Sequence, residues 1–197
     1  MSVPPRAGSP FVVALFIAAI AGCTSIHNTE PSRTATEQLL ISTAADRAIE
    51  QLQFPTSAGD RMFLVDSRFE SYDKGYVLSA ITHRLLAQGG RLVAEAADAD
   101  VTVEIRSGAL STIHEKFLLG IPELQIPVPP LGSFTLPELA LFKRDHQEGI
   151  AKFAMHVTRR KDGLLVAGSG PVYGNSELTN WAILTISFTT QDLTPED

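Results

Sequence analysis

Cysteine is nearly absent from this chain: Cys23 is the only one in 197 residues. No intrachain disulfide can form, and a cysteine-based zinc site is excluded. Basic runs are absent too. The formal charge is −6, and Lys and Arg never cluster into a stripe that would track phosphates, so nucleic acid is not an expected partner. Apolar runs long enough to span a bilayer as a helix, about 20 residues, do not occur. No G-x-G-x-x-G, Walker loop, H-E-x-x-H, internal repeat or low-complexity tract is present, and no cofactor or metal is expected. Catalytic spacing is missing, which favours a non-enzymatic role.

What is present begins at the N-terminus. Arg6 and the amino terminus supply positive charge, Phe11 to Ile20 an apolar core of ten residues, and Ala21-Gly22 the small residues of an export signal. The stretch Ile20-Ala21-Gly22-Cys23 resembles the bacterial lipobox. The resemblance implies cleavage before Cys23, diacylglyceryl on its thiol and acylation of the new amine. It also implies a membrane partner through that anchor. Thr24, where lipoproteins retained at the inner membrane often carry Asp, favours the outer membrane facing the periplasm. A triacylated cysteine exceeds the two-signal requirement for stable attachment.

The expected organisation is a signal peptide over 1–22, a lipidated tether over 23–33, one domain over 34–190 and a polar tail over 191–197. Arg6 is the only charged side chain in the signal, so the mature charge is near −7. Thr34 and Glu37 form a capping box ahead of a helix burying Ile41, Ala45, Ala48, Ile49 and Leu52. Met62 to Val65 reads as a buried central strand. Lys74 to Gln88 reads as a second helix with Val77, Leu78, Ile81 and Leu85 inward, stopped by Gly89-Gly90. Arg91 to Ala94 reads as a strand, and Glu95 to Asp100 as a solvated corner. Alternation predicts strands at Val101–Ile105 and Phe153–Val157, and Asp162-Gly163 marks a hairpin into Leu164–Ala167. One last strand is predicted from Trp181 to Phe188, with Ala182, Leu184, Ile186 and Phe188 on one face. The resulting fold class is α+β: a mixed sheet with two helices packed on one face, opening helix-strand-helix-strand and continuing with antiparallel strands.

That opening order is similar in architecture to the periplasmic modules of the curli-secretion lipoprotein and of the amino-terminal domain of TolB. The stretches RTATEQLLISTAADRAI (33–49), ELALFKRDHQEGIAK (138–152) and GSGPVYGNSELTNW (168–181) look like those of an uncharacterised family of predicted bacterial envelope lipoproteins. Such a resemblance implies exported anchorage and a single domain, and no chemistry.

The oddest segment is Phe117 to Phe142, nearly uncharged and with five prolines, which deny it a continuous helix or a central strand. Two readings stand: a long loop packed over the core, or an exposed apolar surface. The second makes Phe117, Leu118, Leu119, Ile121, Leu124, Ile126, Val128, Leu131 and Phe134 the interaction surface, for an envelope protein, for homo-oligomers or for the membrane interface. The same segment could instead line a pocket for a small or lipidic ligand. Gly168-Ser169-Gly170-Pro171 lacks the nucleophile-elbow spacing and reads as a bend or strand end, with Tyr173 to Ser176 as a turn. His114 and His146 form a site only if folding unites them, and a hydrolase site would have to be assembled from distant residues such as Ser169, His146 and an acidic partner. His83 and His156 read as surface residues. Glu95, Asp98 and Asp100 lack the ligand density and turn glycine of a calcium loop.

Overall fold

Thr34 opens the first helix as its capping residue, its hydroxyl accepting from the Glu37 N–H while the Glu37 carboxylate accepts from the Thr34 N–H. Helix α1 (Ala35–Glu50) buries Leu40, Ile41, Ala44, Ala45, Ala48 and Ile49. Strand β1 (Arg61–Val65), helix α2 (Lys74–Ala87) and the two-residue strand β2 (Arg91–Leu92) follow, with β1 and β2 parallel. The computed structural model describes residues 33–54, 59–130 and 132–193. The expected signal peptide, Cys23, nearly all of the expected tether and Leu131 lie outside them.

The rest is strand: β3 (Val101–Ile121), β4 (Leu124–Val128), β5 (Gly132–Leu136), β6 (Leu139–Arg159), β7 (Leu165–Ile183) and β8 (Ile186–Gln191). One sheet has the order β2-β1-β3-β6-β7-β8, parallel from β2 to β3 and antiparallel from β3 to β8, while β4 and β5 pair in a small sheet of their own. Strand accounts for 54% of the structure and helix for 21%, so the fold is mainly β and the α+β expectation is overturned. The reason is strand length. The alternation visible over a few residues at Val101 and Phe153 extends to 21 residues in each of β3 and β6.

Several boundaries change accordingly. The proline-rich segment is not a structureless loop. Its prolines sit in the short β4–β5 pair or at breaks between strands, where a missing N–H is tolerated. Gly168 to Ser176 is neither strand end nor turn, because β7 runs straight through. Pro171 falls where the β6–β7 register shifts between Phe153 and Met155, a bulge that absorbs a residue without a ladder donor. The single strand expected from Trp181 to Phe188 is two strands joined by a tight turn, with Leu184 at φ 53. The strand expected from Arg91 to Ala94 is only Arg91–Leu92. The tail expected from 191 remains in the fold at its start, where the Asp192 carboxylate accepts from Arg47 Nη1 at 2.6 Å and from the Glu177 N–H at 2.7 Å.

Residues paired across a sheet share a face, and neighbours along a strand alternate. Val101, Val103 and Ile105 therefore lie on one face with Phe153, Met155 and Val157. That face meets α1 and α2 in a single core that includes Phe69, whose ring lies 5.7 Å from that of Phe153. Helix α1 lands directly on strand backbone. A Cβ at Gly149 would come within 2.4 Å of the Leu40 carbonyl oxygen, and one at Gly174 within 2.0 Å of that of Ala44. Opposite Gly149, the buried Ser176 hydroxyl donates to the Leu40 carbonyl at 2.6 Å. Leu40 is the first buried residue of α1, so only the opening of the helix lies past these positions, and the sheet continues beyond it.

Candidate functional site: an uncovered sheet arm

Past Gly149, the strands β3, β6, β7 and β8 form a four-stranded arm. A bulge at Gly108, where β3 shifts register against β6 between Ser107 and Ala109, decides which way its side chains point. Apolar residues stay at odd numbers along β3, at Val101, Val103 and Ile105 and again at Ile113, Phe117 and Leu119. The extra residue reverses their face. Leu110 pairs with the helix-facing Ala151, so Phe117 and Leu119 point to the opposite side of the sheet.

On that opposite face, pairing aligns Phe117, Arg144, Trp181 and Phe188 in one row and Leu119, Phe142, Ile183 and Ile186 in the next. The rings form a ladder: Phe117–Phe142 at 6.0 Å, Phe142–Trp181 at 5.9 Å and Trp181–Phe188 at 6.3 Å, the last pair stacked. The Arg144 guanidinium lies 5.7 Å from the Trp181 ring centre, a cation–π distance. Large apolar side chains here are open to solvent, Phe117 at 56% and Ile186 at 69%. Leu118 points to the helix-side face and is half-buried. The β4–β5 pair repeats the pattern, with Leu124, Ile126 and Val128 opposite Leu136, Phe134 and Gly132, and its apolar residues are exposed apart from half-buried Leu136.

The helix-side face of the arm is polar. His114 Nε2 lies 2.6 Å from Asp145 Oδ1, and Lys116 Nζ lies 3.9 Å from Asp145 Oδ2. His146 is on the other face, with Nδ1 2.7 Å from the hydroxyl of Thr179. The two histidines are thus back to back and share no site. Ser169 pairs with Met155, nine residues along β6 from His146, roughly 30 Å at strand rise, so that hydrolase pairing fails on geometry. No group of three or more His, Cys, Asp or Glu side chains placed to hold a metal occurs among the described residues.

The acidic corner is a short 3₁₀ turn at Ala96–Asp98 followed by a pinned carboxylate. Asp100 accepts from the backbone and side chain of Arg61, with Nη2 at 2.9 Å, and these hydrogen bonds hold its pKa down at about 2. The cleft beside it, about 690 Å³ and lined by Asp60, Asp100, Arg159 and Arg160 among others, is open to solvent. A second open cleft, about 480 Å³, lies between Leu39 of α1 and Tyr76 of α2.

Among the described residues, the edges of the arm are bare. Strand β1 covers β3 only from Val101 to Glu104, and β8 is the last strand of its sheet. Sequence reasoning singled out Phe117 to Phe134 and missed the partners that complete the surface: Phe142, Trp181, Ile183, Ile186 and Phe188. Alternation at Trp181–Phe188 was the available signal, obscured by the turn at Leu184.

A family of unknown function (DUF6655) matches residues 18–189. The chain belongs to that family. The match spans Cys23 and nearly all of the described fold, the arm included. No curated protein matches the chain. No helix among the described residues is long and apolar enough to cross a membrane.

Proposed function

We propose that this DUF6655 protein is a lipid-anchored, non-enzymatic protein of the bacterial outer membrane. It faces the periplasm and self-assembles through its sheet arm in envelope maintenance or secretion. The observation that carries the reading is the pair of bare arm edges. Strand β8, ISFTTQ, has no charge, proline or glycine, and every residue of it is exposed. Soluble proteins blunt such edges, because unpaired N–H and C=O groups recruit further strands. Along the arm β3 and β7 run one way and β6 and β8 the other. The β8 edge of one copy therefore accepts the β3 edge of the next with antiparallel order preserved. Such a head-to-tail contact closes into a ring when its rotation permits.

Anchorage rests on Ile20–Cys23, and Cys23→Ala is expected to abolish both cleavage before Cys23 and N-terminal lipid mass. For assembly, Thr190→Cys on β8 and Glu115→Cys on β3 lie on the same face of the sheet. Mixing the two single variants, each with Cys23 blocked by its lipid, is expected to give an intermolecular disulfide under mild oxidation. A monomeric mass with no cross-link at this or neighbouring β3 positions overturns self-assembly.

A further inference from the structure

We infer that the aromatic face of the arm docks on the acyl layer of the membrane that holds Cys23, so that the protein meets its bilayer twice, by lipid and by sheet. The second contact builds on the anchoring half of the proposed function. It is argued from where the chain enters the fold and how residues are layered along the arm.

The chain enters on the arm side. Helix α1 places Leu40 over Ser176, Ala44 over Gly174 and Gln51 at the Tyr173 carbonyl, so its N-terminal end points toward the arm. Arg33 is paired with Asp73, in the loop that follows the arm-side end of β1 and in which the Glu70 carbonyl accepts from Ser107 on β3. Ten residues separate Cys23 from Arg33, a reach of at most about 35 Å. From Gly149, beneath Leu40 of α1, to Phe142 is seven residues of strand, roughly 23 Å. The tether's reach exceeds that span, which allows Cys23 and the aromatic rows, on the face opposite α1, to meet one bilayer.

The layering matches an interface. Nearest the base, this face carries Ile113, Glu148 and Glu177 in one row and Glu115, His146, Thr179 and Thr190 in the next, polar apart from Ile113. Next comes the Phe117, Arg144, Trp181 and Phe188 row, aromatic rings with a cation beside them. That is the composition that settles at headgroup level. Beyond it Leu119, Phe142, Ile183 and Ile186 are wholly apolar. Two bare edges confine a lone arm to the interfacial layer, since unpaired backbone groups are costly in hydrocarbon. Edges closed by neighbouring copies remove that limit.

Trp181 is the only tryptophan in the chain and therefore a native depth probe. The test uses the mature lipidated protein, reconstituted into phosphatidylethanolamine–phosphatidylglycerol vesicles containing phospholipids brominated on the acyl chain. The expected result is a blue-shifted Trp181 emission and loss of most of its intensity to the bromines. Ile186→Asp, at a solvent-exposed position, is expected to restore the emission while the lipid keeps the protein on the vesicle. Emission insensitive to brominated lipid overturns the inference, and insensitivity alongside intact β8–β3 cross-links assigns the face to a second copy instead. N-terminal mass, read separately, reports the anchor. An unlipidated protein that still binds vesicles with Trp181 quenched would sink the anchoring reading and leave the docking face standing.

Discussion

The base and the arm of the sheet are made by the same strands, yet they obey opposite rules. At the base, Val103, Ile105, Phe153, Met155 and Val157 point to the helices and are essentially inaccessible. In the arm, the equivalent row of apolar side chains points away from the helix side and meets solvent. The base hides its hydrophobic surface within one chain, whereas the arm presents its own outward. A sheet can therefore be a folding core at one end and a recognition surface at the other. The change needs only a switch in which face is apolar.

The largest test of that contrast is a truncation in each half. Phe153→Ala removes a buried ring packed on Phe69, and a loss of about 3–5 kcal/mol is expected in urea denaturation. Ile186→Ser, in the arm, is expected to stay within about 0.5 kcal/mol while weakening self-association, as read by sedimentation. A comparable loss at both positions would mean that the arm is part of the folding core. Deleting Gly108 is an intermediate perturbation. It removes the bulge and sends either the base or the arm stretch of β3 to the wrong face. The expected outcome is retained helical circular dichroism with Trp181 emission altered and oligomers lost; unchanged Trp181 emission and assembly would show that the bulge does not set the face. The smallest effect belongs to Asp100, at the base and exposed. Its pKa lies below the ordinary carboxylate value, so its contribution is present above about pH 4 and is lost as pH falls toward 2. Asp100→Asn is expected to flatten the acid limb of the stability curve in that window without changing assembly.

The base was legible in the sequence because its signals are local. The Thr34–Glu37 box, the inner stripe of α2, the odd-numbered apolar residues at Val101–Ile105 and Phe153–Val157, and the Asp162-Gly163 turn each lie within a few residues of one another. Beyond the single strand expected from Trp181 to Phe188, the arm was not legible, for three physical reasons. Its prolines imitate a loop, although a two-stranded edge pair tolerates Pro127. At the base end of β7, the bulge carrying Pro171 imitates a strand end and so hides the run of that strand into the arm. The turn after Ile183 uses Leu184 at positive φ, where glycine or asparagine would have announced it. The apolar character of Phe117 to Phe134 was visible; its partners on β6, β7 and β8 depend on register, which no single segment contains.

The bulge at Gly108 carries a consequence for how this arm can change length. Strand residues are read in twos, so the stretch from Ala109 to Phe117 has a frame, much as a coding sequence does. One inserted or deleted residue there puts every later aromatic ring out of phase, whereas two leave the phase intact. Variation in arm length across the family should therefore come in even steps on β3, matched by even steps on β6. An odd step should survive only with a second bulge to restore the frame.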